Sequence, residues 1–323
     1  MVIKENPFTS SIYNTHWSDC FYQSKTLSTF NFLNGIAFTK NKYLPLYFNA
    51  GKGKSYGMSY TLKKSNEIKD FAHKTIFIYD VLDYFKIDKS ISVKGLGLKT
   101  LFSNEGYLVE LESFDNFDSY LNNQFNSKQR HKLRSSIKKL ESSHDIAYEW
   151  YHGEITKDTF TSLLNAFYDF INVKYENKKE KNSHLKTGVR SWYNKMLFQM
   201  INEKKASFFV IKDGGIPISV NLCYHADNVM FGAAALANFK YKSYGMGSIA
   251  ILKSIQWAFD NDVSFFDMSK ESFGYKHRWA TKKYIARHHM FYDKKSLIAV
   301  SLVNFISILY KMKQLKKRIR VNS

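Results

Sequence analysis

Three prolines and fifteen glycines among 323 residues leave little room for a long flexible linker. Two cysteines, Cys20 and Cys223, lie far apart without a metal-ligand spacing. They read as reduced core thiols of a cytosolic protein, not as a disulfide framework. No stretch reaches the ~18 consecutive apolar residues of a spanning helix. Leu297 to Tyr310 comes nearest, and Ser301, Asn304 and Ser307 interrupt it. Met1-Val-Ile-Lys-Glu-Asn-Pro opens without the apolar run of a secretory signal, so the expectation is a chain that stays in the cytoplasm. Acidic residues are scarce as well: 28 stand against 48 lysines and arginines, a net charge of +20. Such a field draws polyanions, whether nucleic acid, an anionic membrane leaflet or a phosphorylated substrate.

What is abundant is apolar. Hydrophobic residues make up 44% and aromatics 17%, enough for globular cores, which excludes wholesale disorder. The length suggests two domains. Alternating and apolar runs predict strands near 44–48, 56–62, 75–79 and 107–111, with helices between some of them. Residues 114–141 read as two helices joined near Asn126-Ser127, with Ser127 as N-cap. A strand over 145–151 precedes helices over 156–173 and 189–203, with a polar loop at 178–181 between them. Three strands then come close together, at 206–212, 217–224 and 228–237. Asp213-Gly214-Gly215 makes the first turn, a short hairpin signal.

The segment from Asn228 to Lys283 is the most informative. An apolar strand ending at Ala237 feeds Lys242-Ser-Tyr-Gly245-Met-Gly247-Ser248 and then a helix. A glycine-punctuated loop that opens a helix leaves backbone N–H groups unpaired where an anion can bind. It is neither the phosphate loop ending in Gly-Lys-Ser/Thr nor the dinucleotide pattern of three spaced glycines. A further strand carries Phe266-Asp267, and Gly274-Tyr-Lys-His-Arg-Trp279 follows.

Lys242-x-x-Gly245-x-Gly247 resembles the Gln/Arg-x-x-Gly-x-Gly/Ala signature with which GNAT acyltransferases hold the pyrophosphate of coenzyme A. Phe266-Asp267, followed by Tyr275-Lys276-x-x-Trp279, looks like the end of the CelD-like branch of acyltransferases. That branch is associated with exopolysaccharide production and is related to the Fem-type aminoacyltransferases. With Phe117-Asp-Ser-Tyr-Leu121 and Ser127-Lys-Gln-Arg130-His-Lys-Leu-Arg134 the resemblance covers residues 114–292. The departure is Lys242, which keeps the charge of an arginine but lacks its bidentate fork.

The resemblance implies an α/β (α+β) protein with the GNAT acyl-CoA N-acyltransferase fold, in two lobes side by side. The expected boundary lies near residue 143. An N-terminal lobe over 1–143 would be degenerate, and a C-terminal lobe over 144–323 would carry the site and a basic C-terminal helix at 294–320. The implied reaction moves an acyl group from acetyl-CoA or another acyl-CoA to an amino or hydroxyl group of a sugar or envelope-glycan precursor. An alternative is a Fem-type aminoacyltransferase that uses charged tRNA. A second alternative is a non-catalytic GNAT-like module that binds polyanions or membrane.

Acyl transfer needs an anchored donor, stabilisation of an oxyanion and removal of a proton from the nucleophile. Lys242, Tyr244, Gly245, Met246, Gly247 and Ser248 form the expected pyrophosphate loop. Ala233, Ala234 and Ala235, small residues on the preceding strand, would let a pantetheine arm lie against its backbone, although plain close packing also accounts for them. Asp267, at a strand's C-terminal end, is a candidate general base, or else a cap of the next turn. By resemblance, Tyr275 and Lys276 lie at the reaction centre, and Arg278 and Trp279 shape the acceptor pocket or pack. His288-His289 point to opposite faces of a strand, and no metal site is expected.

The tail is basic: Lys311, Lys313, Lys316, Lys317, Arg318 and Arg320 follow the apolar stretch. Two readings stand together, a peripheral anchor on the inner face of the membrane and a packed helix with a frayed basic end.

Overall fold

The computed structural model describes residues 3, 5–63, 69–87, 93–176, 183–270 and 274–322, with the backbone alone at 183 and 317–322. The polar loop expected at 178–181 lies outside the described residues. The chain opens with α1 (Ser11–Phe21), β1 (Ser28–Phe30), β2 (Leu33–Lys40), β3 (Leu46–Asn49), β4 (Thr61–Leu62), β5 (Thr75–Leu82) and β6 (Leu96–Glu110). Then come α2 (Phe117–Gln124), α3 (Ser127–Ser143), β7 (Ile146–Tyr151), α4 (Lys157–Tyr175) and α5 (Thr187–Asn202). The last third holds β8 (Ala206–Asp213), β9 (Ile216–Ala226), β10 (Val229–Ala237), α6 (Met246–Asp260), β11 (Phe265–Lys270), β12 (Lys282–Asp293) and α7 (Leu297–Asn322).

The chain forms two compact units, but they do not divide near residue 143. One holds 1–3, 17–105 and 284–323; the other holds 4–16 and 106–283. Residue 143 ends α3, whose Leu140 is packed with Phe209 and Ile249 inside the second unit. The C-terminal strand and helix belong instead with the N-terminal strands, because β12 pairs antiparallel with β5 from Ala286↔Leu82 to Tyr292↔Thr75. No local sequence signal announces a pairing across some two hundred residues.

Each unit carries the same succession of pairings. In the second, β8–β9 and β9–β10 are antiparallel, β10–β11 parallel, and β11 antiparallel to residues 106–110 of β6. In the first, β1–β2 and β2–β3 are antiparallel, β3–β5 parallel and β5–β12 antiparallel. Among the described residues no helix separates β1 to β6, contrary to expectation.

In the second unit, alternation along β8 sends Phe208 and Phe209 to opposite faces. Phe208 meets Phe160 and Phe167 of α4, while Phe209 stacks on Trp150 and packs with residues of α3 and α6. The start of α3 is fixed by Asn126, not Ser127: Asn126 and Gln129 form a reciprocal capping box. This is a mixed α/β unit with helices on both faces of its sheet.

Candidate active site

The site is built where two parallel strands part. β10 and β11 pair at Val229↔Phe265, Met230↔Phe266 and Phe231↔Asp267, and no described pair follows. On its other side β10 continues against β9 to Ala237, with a shift between Gly232 and Ala234 that makes Ala233 the extra residue of a β-bulge. Bulges bend a strand and increase its twist. Beyond the parting, Ala233 and Ala234 are half-buried and Ala235 is exposed.

From Ala237 the chain makes a short 3₁₀ turn, Phe239–Tyr244, whose N-cap Asn238 accepts a bond from the Lys240 N–H. Gly245 then adopts φ +73°, a left-handed backbone that favours glycine, and caps α6. Within this loop the expected donors change. The Gly245 N–H donates to the Lys242 carbonyl at 3.1 Å, and the Ser248 N–H donates to the Gly245 carbonyl at 2.8 Å. Both are therefore spent. Among the described residues, the N–H groups of Met246 and Gly247, the first two of the helix, have no partner, as the first turn requires. The Met246 side chain, 3% exposed, is buried against Leu140 and Phe209, so only its backbone faces the loop. Gly247 is exposed, and an added Cβ there would meet nothing within 4 Å.

Tyr244 turns away from the role expected of it. Its hydroxyl is 3.0 Å from Nε2 of His144, whose Nδ1 lies 2.8 Å from Oδ2 of Asp213. The Tyr241 hydroxyl donates to the same carboxylate oxygen at 2.7 Å. The network ties the loop to the β8–β9 hairpin and the end of α3. Lys242 is exposed, and its ammonium lies 4.9 Å from the centre of the Phe239 ring.

Asp267 stands at the last pair before the strands part and is fully buried. Its Oδ1 accepts from the Ser269 N–H at 2.6 Å, and Ser269 has φ +69°. Lys276, only 4% exposed, is turned inward and donates to the carbonyls of Ser269 at 3.1 Å and Lys270 at 3.0 Å. A buried ammonium satisfied by main-chain carbonyls fixes the end of β11 just past Asp267. Tyr275, Arg278 and His277 face outward, and His277 Nε2 lies 2.8 Å from the Tyr107 hydroxyl. Trp279 is 1% exposed and meets the Phe125 ring edge-on at 4.9 Å, while its carbonyl accepts from Tyr120. It is a core residue here and lines no open surface; Arg278 is the exposed member of the pair.

One residue escaped the sequence reading. Asn221 lies on β9 opposite both Phe209 and Ala235 and is 3% exposed. Its Nδ2 donates to the Phe209 carbonyl and to Ser219 Oγ, each at 3.2 Å, while Oδ1 has no partner among the described residues. An unmet buried acceptor costs about 1–3 kcal/mol. It stands directly across from Ala235 of β10. The available signal was an amide inside the apolar run Val220-Asn221-Leu222-Cys223.

The comparisons agree with this architecture. Residues 127–277 match the family model of the acetyltransferase (GNAT) domain. The match lies in the region that holds the parted strands and the glycine loop, and it supports an acyltransferase. No curated protein matches it in sequence. Its fold is similar to that of L-PGS from Bacillus licheniformis, at 13% identity and TM-score 0.53, over 93% of this chain and 92% of that one. A C-terminal domain assigned to a lysylphosphatidylglycerol synthetase of Agrobacterium fabrum is similar at 10% identity and TM-score 0.57, over 93% and 91%. FemX is similar at 11% identity and TM-score 0.54, over 85% and 90%. At such identities the likeness is one of fold.

The loop network carries a pH signature. The Tyr241 hydroxyl, with lesser help from Asp145 N–H and His144, holds the Asp213 carboxyl below its ordinary 3.8. A depressed folded value gives stability that is complete above 3.8 and is lost as the pH falls through the lower folded value. The same bond pushes Tyr241 up to about 12, so its contribution holds below 10 and is lost as the pH rises through about 12. Tyr241→Phe should therefore flatten the acid and the alkaline limb of a Tm–pH curve. Limbs that superpose on the wild type would contradict the network.

Proposed function

We propose that the parted strands and the start of α6 hold an acyl-CoA, and that its acyl group passes to an amino or hydroxyl group of a sugar or cell-envelope glycan precursor. The observation that carries the reading is Gly247. Gly245 is explained by its left-handed backbone, but Gly247 is helical, exposed and uncrowded, so nothing in the fold requires a glycine there. A helical glycine costs about 0.5–1 kcal/mol relative to alanine. Close approach of a pyrophosphate to the Met246 and Gly247 N–H groups explains it, with the helix dipole adding attraction. Lys242 supplies a cation at the mouth.

From that anchor the pantetheine arm would run along Ala233–Ala235, with Asn221 Oδ1 as acceptor for one of its amide N–H groups. The thioester then lies toward Asp267 and Lys276. The acceptor's nitrogen or oxygen attacks the acyl carbonyl, the C–S bond breaks, and coenzyme A leaves as the thiol. Asp267 takes the nucleophile's proton or orients the acceptor, and Lys276 stabilises the tetrahedral intermediate or holds the strand end that does so. Tyr275 and Arg278, both exposed, are the side chains offered to the acceptor. The glycan acceptor is supported by the resemblance of residues 114–292 to the CelD-like branch.

A second reading, transfer of an amino acid from charged tRNA, is favoured by the fold shared with FemX and by the net charge of +20. Calorimetric titration with acetyl-CoA and with charged tRNA separates the two.

Two variants test the assignment. Gly247→Val should abolish acetyl-CoA binding in the calorimeter while the melting temperature stays close to that of the wild type, because its side chain enters open space. Unchanged affinity would remove the pyrophosphate from this loop. Lys276→Met should lower turnover by roughly 10²–10³-fold, the usual loss of one such donor, with little change in acetyl-CoA affinity. It should also cost about 1–3 kcal/mol of stability for each carbonyl left without its donor. A destabilised variant with wild-type turnover would leave Lys276 a purely structural role.

A further inference from the structure

The outer face of α7 is a long apolar stripe with no described partner. Of the sixteen large hydrophobic side chains exposed among the described residues, seven lie on this helix: Leu297, Ile298, Phe305, Ile308, Leu309, Met312 and Leu315. Their exposures run from 48% to 85%, and their spacing puts them on one face. The stripe extends ~27 Å at 1.5 Å per residue. Its first turns form an apolar hollow of about 370 Å³ lined by Leu297, Ile298, Ser301, Leu302 and Phe305. Contiguous apolar patches above a few hundred Å² mark interaction surfaces.

The opposite face is already used. Ala299, Val303 and Ser307 are at most 3% exposed, and Val303 packs with Leu46, Phe77, Leu101 and Met290 of the same unit. Asn304 accepts a bond from Lys99 Nζ at 3.1 Å, and Gln314 donates to the Ser103 carbonyl at 3.0 Å. By length and composition Leu297–Lys316 is enough to cross a membrane. A helix fixed along one whole side to its own sheet lies on a surface instead.

Charge decides what covers the free side. From residue 294 to 323 the chain holds Lys294, Lys295, Lys311, Lys313, Lys316, Lys317, Arg318 and Arg320, and no acid. A second copy facing the stripe would set cations against cations. An anionic lipid surface meets both demands at once, since it takes apolar side chains below the headgroups and lysines among them. We infer that α7 is an interfacial helix that docks this unit onto an anionic bilayer, apolar stripe inward.

Co-sedimentation with vesicles tests this on the full chain. The protein should sediment at low salt with phosphatidylcholine vesicles that carry phosphatidylglycerol, and hardly at all with phosphatidylcholine alone. Phe305→Gln, Ile308→Gln and Met312→Gln together should abolish sedimentation at unchanged melting temperature, because all three side chains are outside the core. Lys311→Gln, Lys313→Gln and Lys316→Gln together should weaken partitioning by ~10²-fold, about fivefold per cation near an anionic surface. Failure to sediment with anionic vesicles overturns the inference, and so does sedimentation that the apolar triple variant leaves intact. A dimer that the apolar triple dissociates, without vesicle binding, also overturns it and assigns the stripe to a second copy.

Discussion

The site depends on the end of one strand pairing. β10 and β11 run parallel for three pairs and separate after Phe231 and Asp267, where β10 takes an extra residue at Ala233. Had the ladder continued, Ala233–Ala235 would be covered by β11 and no ligand could reach that backbone. The parting instead opens a slot between the strands, and the buried Asp267 stands at the last pair before it. The sheet supplies the slot and the helix beside it supplies the charge.

Everything near the slot acts to keep it open in one shape. Lys276 and the Ser269 N–H hold the departing end of β11, and the Asp213, His144, Tyr241 and Tyr244 network holds the departing end of β10. Between them Gly245 turns the chain so that α6 points its first two N–H groups outward. Preorganised donors of this kind need no rearrangement when charge arrives, which is why such geometry favours catalysis as well as binding.

Features set by neighbours in sequence were legible in advance. The meander of β8, β9 and β10, the hairpin turn at Asp213-Gly214-Gly215 and the glycine loop before α6 all follow from local pattern and turn chemistry. Side-chain direction was less legible, because tertiary packing decides it. Met246, Tyr244 and Trp279 sit inside or beside the expected motifs, yet the first and last face the core and the second binds His144. Asn221 became visible only when the pairing placed it across from Ala235. Least legible was the assignment of β12 and α7 to the N-terminal strands, a long-range pairing that no window of sequence contains. The resemblance to GNAT enzymes located the loop, and among the described residues the geometry shifts the unbonded N–H groups from the expected Gly245, Gly247 and Ser248 to Met246 and Gly247.

That shift is the central claim, and backbone amide spectra recorded during titration with coenzyme A test it most directly. The resonances of Met246, Gly247 and Ala233–Ala235 should move together and saturate with one affinity, while Gly245 and Ser248 keep the shifts of amides already bonded within the loop. Perturbation centred on Gly245 and Ser248, or on residues away from the parting of β10 and β11, would contradict the account.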